Sequence, residues 1–340
     1  MTHDENSMLS NRWLITGGCG FIGTHLIKYI LEKRLGRVRV LDNLTTGTLG
    51  DLGSVCSFER INVAEVQNSK ALVALVEGDI ENYQVASRVC NEIDFVVHLA
   101  ANTGVGPSII DPRCDMTSNV LGTFNMLQAS LSSGVKRFVF ASSSAPIGNV
   151  APPIHEELPA RPLSPYGASK LCGEAYCSAF YHSFGLETVA LRFGNVYGEG
   201  SKHKSSVVSK FIKEALDPNA KSWEIYGDGA QTRDFIYVND LVGAIIAAAN
   251  TTDIGGELFQ IATSHETSVL QLAKDLNDVL SENGLGPMSI VNVQPKVGDA
   301  KRNYSDTSKA QKLLGWSAKT ELSDGLRRTL RYFLESKGLK

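Results

Sequence analysis

The stretch Arg12-Trp13-Leu14-Ile15-Thr16-Gly17-Gly18-Cys19-Gly20-Phe21-Ile22-Gly23 decides the fold. A short run of strand character passes straight into a glycine-rich turn, and residues 24–32 continue as an amphipathic helix. Gly18, Gly20 and Gly23 satisfy GxGxxG, while Gly17, Gly20 and Gly23 satisfy GxxGxxG. Either spacing serves one physical purpose. A turn without side chains lets backbone N–H groups at a helix N-terminus approach a pyrophosphate, and the last glycine lets the helix pack close to the strand.

Working outward, β-branched runs recur at 37–41, 72–76, 94–99, 137–141 and 187–193, with longer amphipathic stretches between them. Near-continuous apolar strands alternating with helices imply a parallel sheet covered on both faces. After about residue 197 the pattern turns irregular, with a polar loop at 201–206, a helix near 207–216 and a Gly-rich turn at 226–229. The expected class is α/β: a doubly wound parallel sheet (Rossmann) with a smaller, discontinuous C-terminal substrate-binding cap. Such folds bind ligands at the carboxyl edge of the sheet.

The chain has 340 residues, 43% hydrophobic and 20% charged, with 31 Gly and 11 Pro, a globular composition that excludes disorder and collagen-like repeats. A formal charge of −3 offers no global attraction to nucleic acid or to an anionic membrane, so an anionic ligand must be held by a local site. The longest apolar stretch, 241–249, is far shorter than the roughly 20 residues of a membrane span, and residues 1–11 are polar rather than signal-like. Cys19, Cys56, Cys90, Cys114, Cys172 and Cys177 include no CxxC pair and no His at metal-ligand spacing. Free thiols in a reducing cytoplasm, and no metal site, are the expectation.

The second strand ends in Asp42, 19 residues after Gly23. A carboxylate there accepts hydrogen bonds from both ribose hydroxyls and repels a 2′-phosphate, which favours NAD over NADP; a solvated turn residue is the plainer alternative. At the neighbouring strand ends, Asp79 is placed to meet the adenine amino group, and small Ala100 and Ala101 admit the cofactor. His98 reads as a structural residue satisfied by a backbone carbonyl. Ser142, Ser143 and Ser144 tip the fifth strand, and Ser164-Pro165 opens a helix with Tyr166 and Lys170 four apart on one face. A lysine cation beside a phenol lowers its pKa from about 10 and makes a general base. Tyr29 and Lys33 share the spacing but follow no serine-tipped strand, and read as an ordinary helix surface.

Together, residues 16–23, Asp42-Asn43, Gly78-Asp79-Ile80, 98–101, 142–144 and Tyr166-x-x-x-Lys170 resemble the extended short-chain dehydrogenase/reductases. Within them the likeness is nearest to the nucleotide-sugar epimerases of the UDP-glucose and UDP-N-acetylglucosamine 4-epimerase type. It continues through Asn119-Val-Leu-Gly-Thr, Leu191-Arg-Phe-Gly-Asn195, Val207-Val-Ser-Lys-Phe, 227–236, Gly298-Asp299 and 309–316.

The resemblance implies an NAD-binding Rossmann domain over 1–196 plus about 234–262, and a nucleotide-sugar-binding domain over about 197–233 plus 263–340. It implies that Tyr166 is the base, that Lys170 anchors the nicotinamide ribose, and that Ser143, flanked by Ser142 and Ser144, holds the sugar hydroxyl. Gly17, Gly20, Phe21, Ile22, Gly23, Asn43, Ile80, Leu99, Asn119 and Ala141 would complete the cofactor site. Asn195, Val207, Arg233, Asp299, Asn303 and either Lys296 or Arg302 would meet the nucleotide sugar, an ion pair of Arg233 with Asp234 being the plainer alternative.

Three departures stand out. Pro146-Ile147-Gly148 replaces the usual Val-Tyr-Gly, removing an aromatic wall of the sugar pocket. Lys296 replaces an arginine, giving up bidentate geometry for a point charge. Asn303 stands where relatives gate sugar size with a tyrosine, an exchange that would admit an N-acetyl group.

The implied reaction is inversion at C4 of a UDP-hexose or UDP-N-acetylhexosamine through a 4-keto intermediate, in a cytoplasmic homodimer joined through a four-helix bundle. Another NAD-dependent sugar-nucleotide oxidoreductase or a dehydratase of the family is the alternative. Dehydratases typically carry an Asp-Glu pair where Ser144 and Ala145 stand. A non-catalytic NAD-sensing regulator would have no use for Ser143, Tyr166 and Lys170 together.

Overall fold

The computed structural model describes residues 11–204, 206–294 and 301–339. The chain divides into two compact units. The first comprises the chain up to Gly148, Pro159–Arg192 and Val242–Phe259; the second comprises Asn149–Leu158, Phe193–Leu241 and Gln260 onward. The segment Asn149–Leu158 belongs to the second unit, although the sequence reading placed it in the first. The bridge of Ile154 to Ser305 and a 2.7 Å bond from the Gln260 amide to Glu156 tie it there.

Strands in the first unit are β1 (Arg12–Thr16), β2 (Arg37–Asp42), β3 (Glu59–Ile61), β4 (Val73–Glu77), β5 (Phe95–His98), β6 (Arg137–Ser143) and β7 (Thr188–Phe193). With a later strand, Glu257–Ile261, they form one eight-stranded sheet that runs from that strand through β7, β6, β5, β1, β2 and β4 to β3. The ladders β1–β2, β1–β5, β2–β4, β3–β4 and β5–β6 are parallel. The order reverses beside β1, which makes its carboxyl end the topological switch point of a doubly wound sheet.

The helices that cover this sheet include α1 (Phe21–Glu32), α2 (Leu49–Gly53), α3 (Tyr83–Cys90), α4 (Val105–Ile110), α5 (Pro112–Met116), α6 (Gly122–Ser132) and α7 (Pro165–Phe184). Between α5 and α6 the chain makes a π-helical turn, Thr117–Leu121, where the sequence reads as one continuous helix. The apolar core joins Leu14, Val96 and Phe138 from the strands to Met126, Leu127 and Cys177 from the helices, each no more than 2% exposed. In the second unit, Trp223 stacks on Phe211 at 4.7 Å and donates its ring N–H to the Phe211 carbonyl, so the large ring is buried with its one polar atom satisfied. Among the described residues no helix is long and apolar enough to cross a membrane.

An ion pair lies inside the first unit. Arg192 on β7 grips Glu174 on α7 through two hydrogen bonds of 2.8 and 2.7 Å, and both side chains are almost fully buried. Removing one member of such a pair strands the other charge in the core. Arg192→Met is therefore expected to cost about 3–5 kcal/mol in urea denaturation, whereas a loss below about 1 kcal/mol would show that water reaches the carboxylate.

Candidate active site

The glycine turn is built for close approach. Gly17 sits at φ +68°, and a Cβ there would stand 2.9 Å from the Ala100 amide nitrogen. The turn can therefore lie flat against the end of β5 only without side chains. Gly20 caps α1 with no side-chain hydrogen bond, and a Cβ on it would meet only the Gly17 carbonyl, at 3.2 Å. The first-turn amides thus face outward past a bare backbone, the geometry that holds a phosphate.

Two carboxylates stand at neighbouring strand ends. Asp42, 7% exposed, accepts the amides of Cys19 at 2.9 Å and Leu44 at 2.8 Å, which pins the glycine turn to the end of β2. Burial raises its pKa, and the two amides oppose that rise. Each oxygen keeps a further lone pair for a ligand. Asp79 accepts from Asn43 at 2.8 Å, so Asp42, Asn43 and Asp79 form one rim beside the turn. Phe21 and Ile22 open α1 in the same place, and Leu99, Ala100 and Ala101 leave β5 opposite. This arrangement fits the dinucleotide expected from the sequence. The side chain of Ile80 lies in the core and its carbonyl accepts from Asn125.

The end of β6 is clamped to α7 by three successive residues. The Ala141 carbonyl accepts Lys170 Nζ at 2.9 Å, the Ser142 hydroxyl donates to Glu174, and the Ser143 hydroxyl faces the Tyr166 phenol. Ser164 caps the helix by accepting the Gly167 amide at 3.1 Å, with Pro165 in the first turn. Gly173 is required by proximity, because a Cβ there would lie 2.3 Å from the Phe140 ring. Ser142 is thereby corrected from ligand contact to buried support, 4% exposed, since its hydroxyl is spent on the Glu174–Arg192 pair.

The electrostatics of Tyr166 also differ from the sequence expectation. Its pKa is pushed up to about 12, not lowered: burial dominates, the Ser143 hydrogen bond pulls the other way, and the Asp115 carboxylate adds to the rise. Lys170 is 4% exposed, and its ammonium lies 5.0 Å from the Phe140 ring centre and 5.9 Å from that of Tyr166. The cation is close but does not outweigh the loss of water.

Asn119, in the π turn, is 1% exposed and committed to protein partners. It takes the Asn102 amide at 2.8 Å, returns a bond to the Asn102 carbonyl at 2.9 Å, and donates to Asp115 at 2.9 Å. It holds the loop after β5 in place rather than presenting a free amide to a ligand. His98 is structural, as expected, but its partners are the hydroxyls of Thr16 at 2.8 Å and Thr123 at 3.1 Å, not a carbonyl. Thr16 also accepts the Ala100 amide at 3.1 Å, so this buried chain fixes the floor of the glycine turn. Lys33 lies over Tyr29 at 6.0 Å on α1, an ordinary intrahelical contact.

In the second unit, Asn195 donates its backbone amide to Asp234 at 2.8 Å, and its side chain makes no hydrogen bond among the described residues. Arg233 donates to the Thr232 carbonyl at 2.6 Å. Asp234, 1% exposed, accepts Thr263 N–H and O–H, the Ser264 amide and the Ser305 amide, which makes it an internal knot of this unit. Asn303 donates its amide to Thr232 Oγ1 at 3.2 Å. Arg302 grips Glu266 at 2.7 and 2.6 Å and is committed to that pair. Val207 begins the helix Val207–Ala215, and Ile147 is fully buried in the first unit. Lys296 and Asp299 lie outside the described residues.

Sequence reasoning missed Asp115 and the Glu174–Arg192 pair, and read Asp234 only as an ion-pair partner for Arg233. Glu174 lies four residues beyond Lys170 on the same helix face, a spacing visible in the sequence; its partner on β7 was not.

A family model described as the NAD dependent epimerase/dehydratase family matches residues 13–262. A UDP-glucose 4-epimerase of Mycolicibacterium smegmatis is 30% identical over 325 residues, covering 95% of this chain and 98% of that protein. Among solved structures, a UDP-glucose 4-epimerase of Thermotoga maritima with UDP-glucose is similar at a TM-score of 0.84 and 32% identity, covering 96% of this chain and 99% of that one. A UDP-glucuronic acid 4-epimerase of Bacillus cereus, in complex with UDP-glucuronic acid and NAD, is similar at 0.83 and 30% identity, with 96% and 99% covered.

Burial gives one residue of this site a pH signature. The pKa of His98 is lowered from 6.5 to about 3, because burial and the Lys170 charge both disfavour the imidazolium. The unfolded chain binds this proton first, so stability present above pH 6.5 is lost as pH falls toward 3. His98→Gln is expected to remove about 2 kcal/mol of the stability difference between pH 6.5 and 5, read by urea denaturation at both; an unchanged difference would contradict a neutral buried ring.

Proposed function

The chain belongs to the NAD-dependent epimerase/dehydratase family, and from that premise we propose that it inverts C4 of a UDP-hexose or UDP-N-acetylhexosamine through a transient 4-keto sugar. The observation that carries this reading is the convergence of Ser143, Tyr166 and Lys170 at the carboxyl end of β6. When bound, NAD⁺ supplies a hydride acceptor and the positive charge of its oxidised ring.

Tyr166 takes the proton of the C4 hydroxyl and later returns it to the oxygen on the inverted carbon. Ser143, beside the phenol, is placed to hold that same sugar oxygen within reach. A phenol whose pKa stands near 12 gives a strongly basic phenolate, well matched to an alcohol proton. Lys170 remains a buried cation on the Ala141 carbonyl, where it favours the phenolate and is available to the nicotinamide ribose. Asp42 supports NAD over NADP through its place at the end of β2.

Asn195 and Arg233 of the second unit are assigned to the nucleotide diphosphate. The free amide of Asn195 and the guanidinium of Arg233 suit phosphate oxygens. Asn303, in place of a tyrosine, favours room for an N-acetyl group. No carboxylate occurs between Ser143 and Glu156, which argues against a 4,6-dehydratase. We place the enzyme in the cytoplasm, in keeping with six unpaired thiols, as a homodimer. Its pairing face would comprise α6 and α7, the latter exposing Tyr176 and Phe184.

Tyr166→Phe tests the assignment. Removing only the phenol oxygen is expected to leave fold and bound NAD in place and to lower turnover of UDP-glucose or UDP-N-acetylglucosamine by at least about 100-fold. Turnover within a few-fold of the wild type would refute Tyr166 as the base.

A further inference from the structure

At the edge of the sheet away from the glycine turn, the first unit encloses a separate cleft of about 450 Å³. β1 and β2 begin there with Arg12 and Arg37, which stand side by side in the parallel ladder, and Arg39 follows two residues on. Neighbours in register and positions two apart share a face of a sheet, so three arginines line one wall. Lys70, from the segment before β4, adds a fourth cation. Against these the lining holds one carboxylate among the described residues, Glu92, and Arg12 is paired with it.

Arg39, the half-buried member, donates Nη1 to the Val89 and Asn91 carbonyls at 2.7 and 2.8 Å and Nη2 to the Val66 carbonyl at 3.2 Å. These partners fix the guanidinium at the end of α3 but carry no formal charge. Burial lowers its pKa to about 10, which leaves it protonated at neutral pH. Arg37 and Lys70 are exposed and make no side-chain hydrogen bond or ion pair among the described residues. Like charges that converge on a concave site raise one another's energy, and a bound anion relieves that repulsion.

The lining also indicates the class of ligand. Four cations facing one carboxylate suit a group with more than one negative charge, and arginine forks suit phosphate oxygens. No aromatic face is offered to a base among the described residues. Trp13, the ring in the lining, is 1% exposed, stacks on Phe95 at 4.5 Å and spends its N–H on the Leu35 carbonyl. We propose that this cleft is a second anion site, which takes a small polyanion of the pyrophosphate class and is separate from the dinucleotide site at the carboxyl edge of the same sheet.

Calorimetric titration of inorganic pyrophosphate into the NAD-loaded protein, with UDP in excess and salt at about 0.15 M, tests this. The expected result is saturable binding with a Kd below about 1 mM, weakened about tenfold by Arg37→Gln and by Lys70→Gln, both at exposed positions. Lys28→Gln, which removes the same charge from the exposed face of α1, is expected to bind like the wild type. ATP and inorganic tripolyphosphate, titrated in turn, distinguish a nucleotide from a free polyanion, and equal affinity for the two is expected. No saturable binding of pyrophosphate to the wild type, binding untouched by both cleft variants, or an equal loss in Lys28→Gln would overturn the proposal. ATP bound more than about tenfold tighter than tripolyphosphate would overturn the assignment to a small polyanion.

Discussion

Three successive positions on β6 reach three residues of α7: Ala141 takes Lys170, Ser142 takes Glu174 and Ser143 faces Tyr166. The helix partners are four residues apart and so lie along one helix face. This clamp is the constraint on which the site depends. Within the clamp, Ser143 and Tyr166 keep hydroxyls that a substrate could share, because Ala141, Ser142, Lys170 and Glu174 are spent on holding strand and helix together. Arg192 anchors the clamp from behind by closing a buried pair with Glu174. Gly173 permits it by letting the Phe140 ring into the space of a side chain.

The same packing that aligns the groups decides their electrostatics. Lys170 lies one turn from Tyr166, yet the phenol becomes less acidic, because losing water costs the phenolate more than the nearby cation returns. A base of this kind is strong once formed and seldom formed without help. That is a sensible arrangement for a reaction in which the proton and the hydride must leave the same carbinol together. Specificity for that carbinol then falls to hydrogen bonds placed beforehand by the strand end.

Much of this was legible in the sequence, and the failures have a common cause. The run 12–16, the glycine turn and the strand read at 137–141, which extends to Ser143, were readable because each is continuous and apolar up to a functional end. β3 was not: Glu59, Arg60 and Ile61 form an edge strand of three mostly exposed residues, with no buried face to impose a pattern. The π turn at Thr117–Leu121 looks in sequence like any helix, since its extra residue per turn answers to tertiary demands. Tyr166 and Ser143 were found because chemistry requires their types at known places. The side chains of Asn119 and Ser142 are spent on protein partners, and adjacency to a motif says nothing of which way a side chain turns. Asp234 escaped because its partners are backbone and hydroxyl groups some 30 to 70 residues away.

The central claim is that hydride leaves and re-enters C4 of one sugar while Tyr166 carries the accompanying proton. The most direct measurement is NMR of the product formed from a UDP-hexose bearing deuterium at C4, in ordinary water and without added NAD. The account predicts an inverted product with deuterium still at C4. Replacement of that deuterium by solvent hydrogen, or inversion at another carbon, would contradict it.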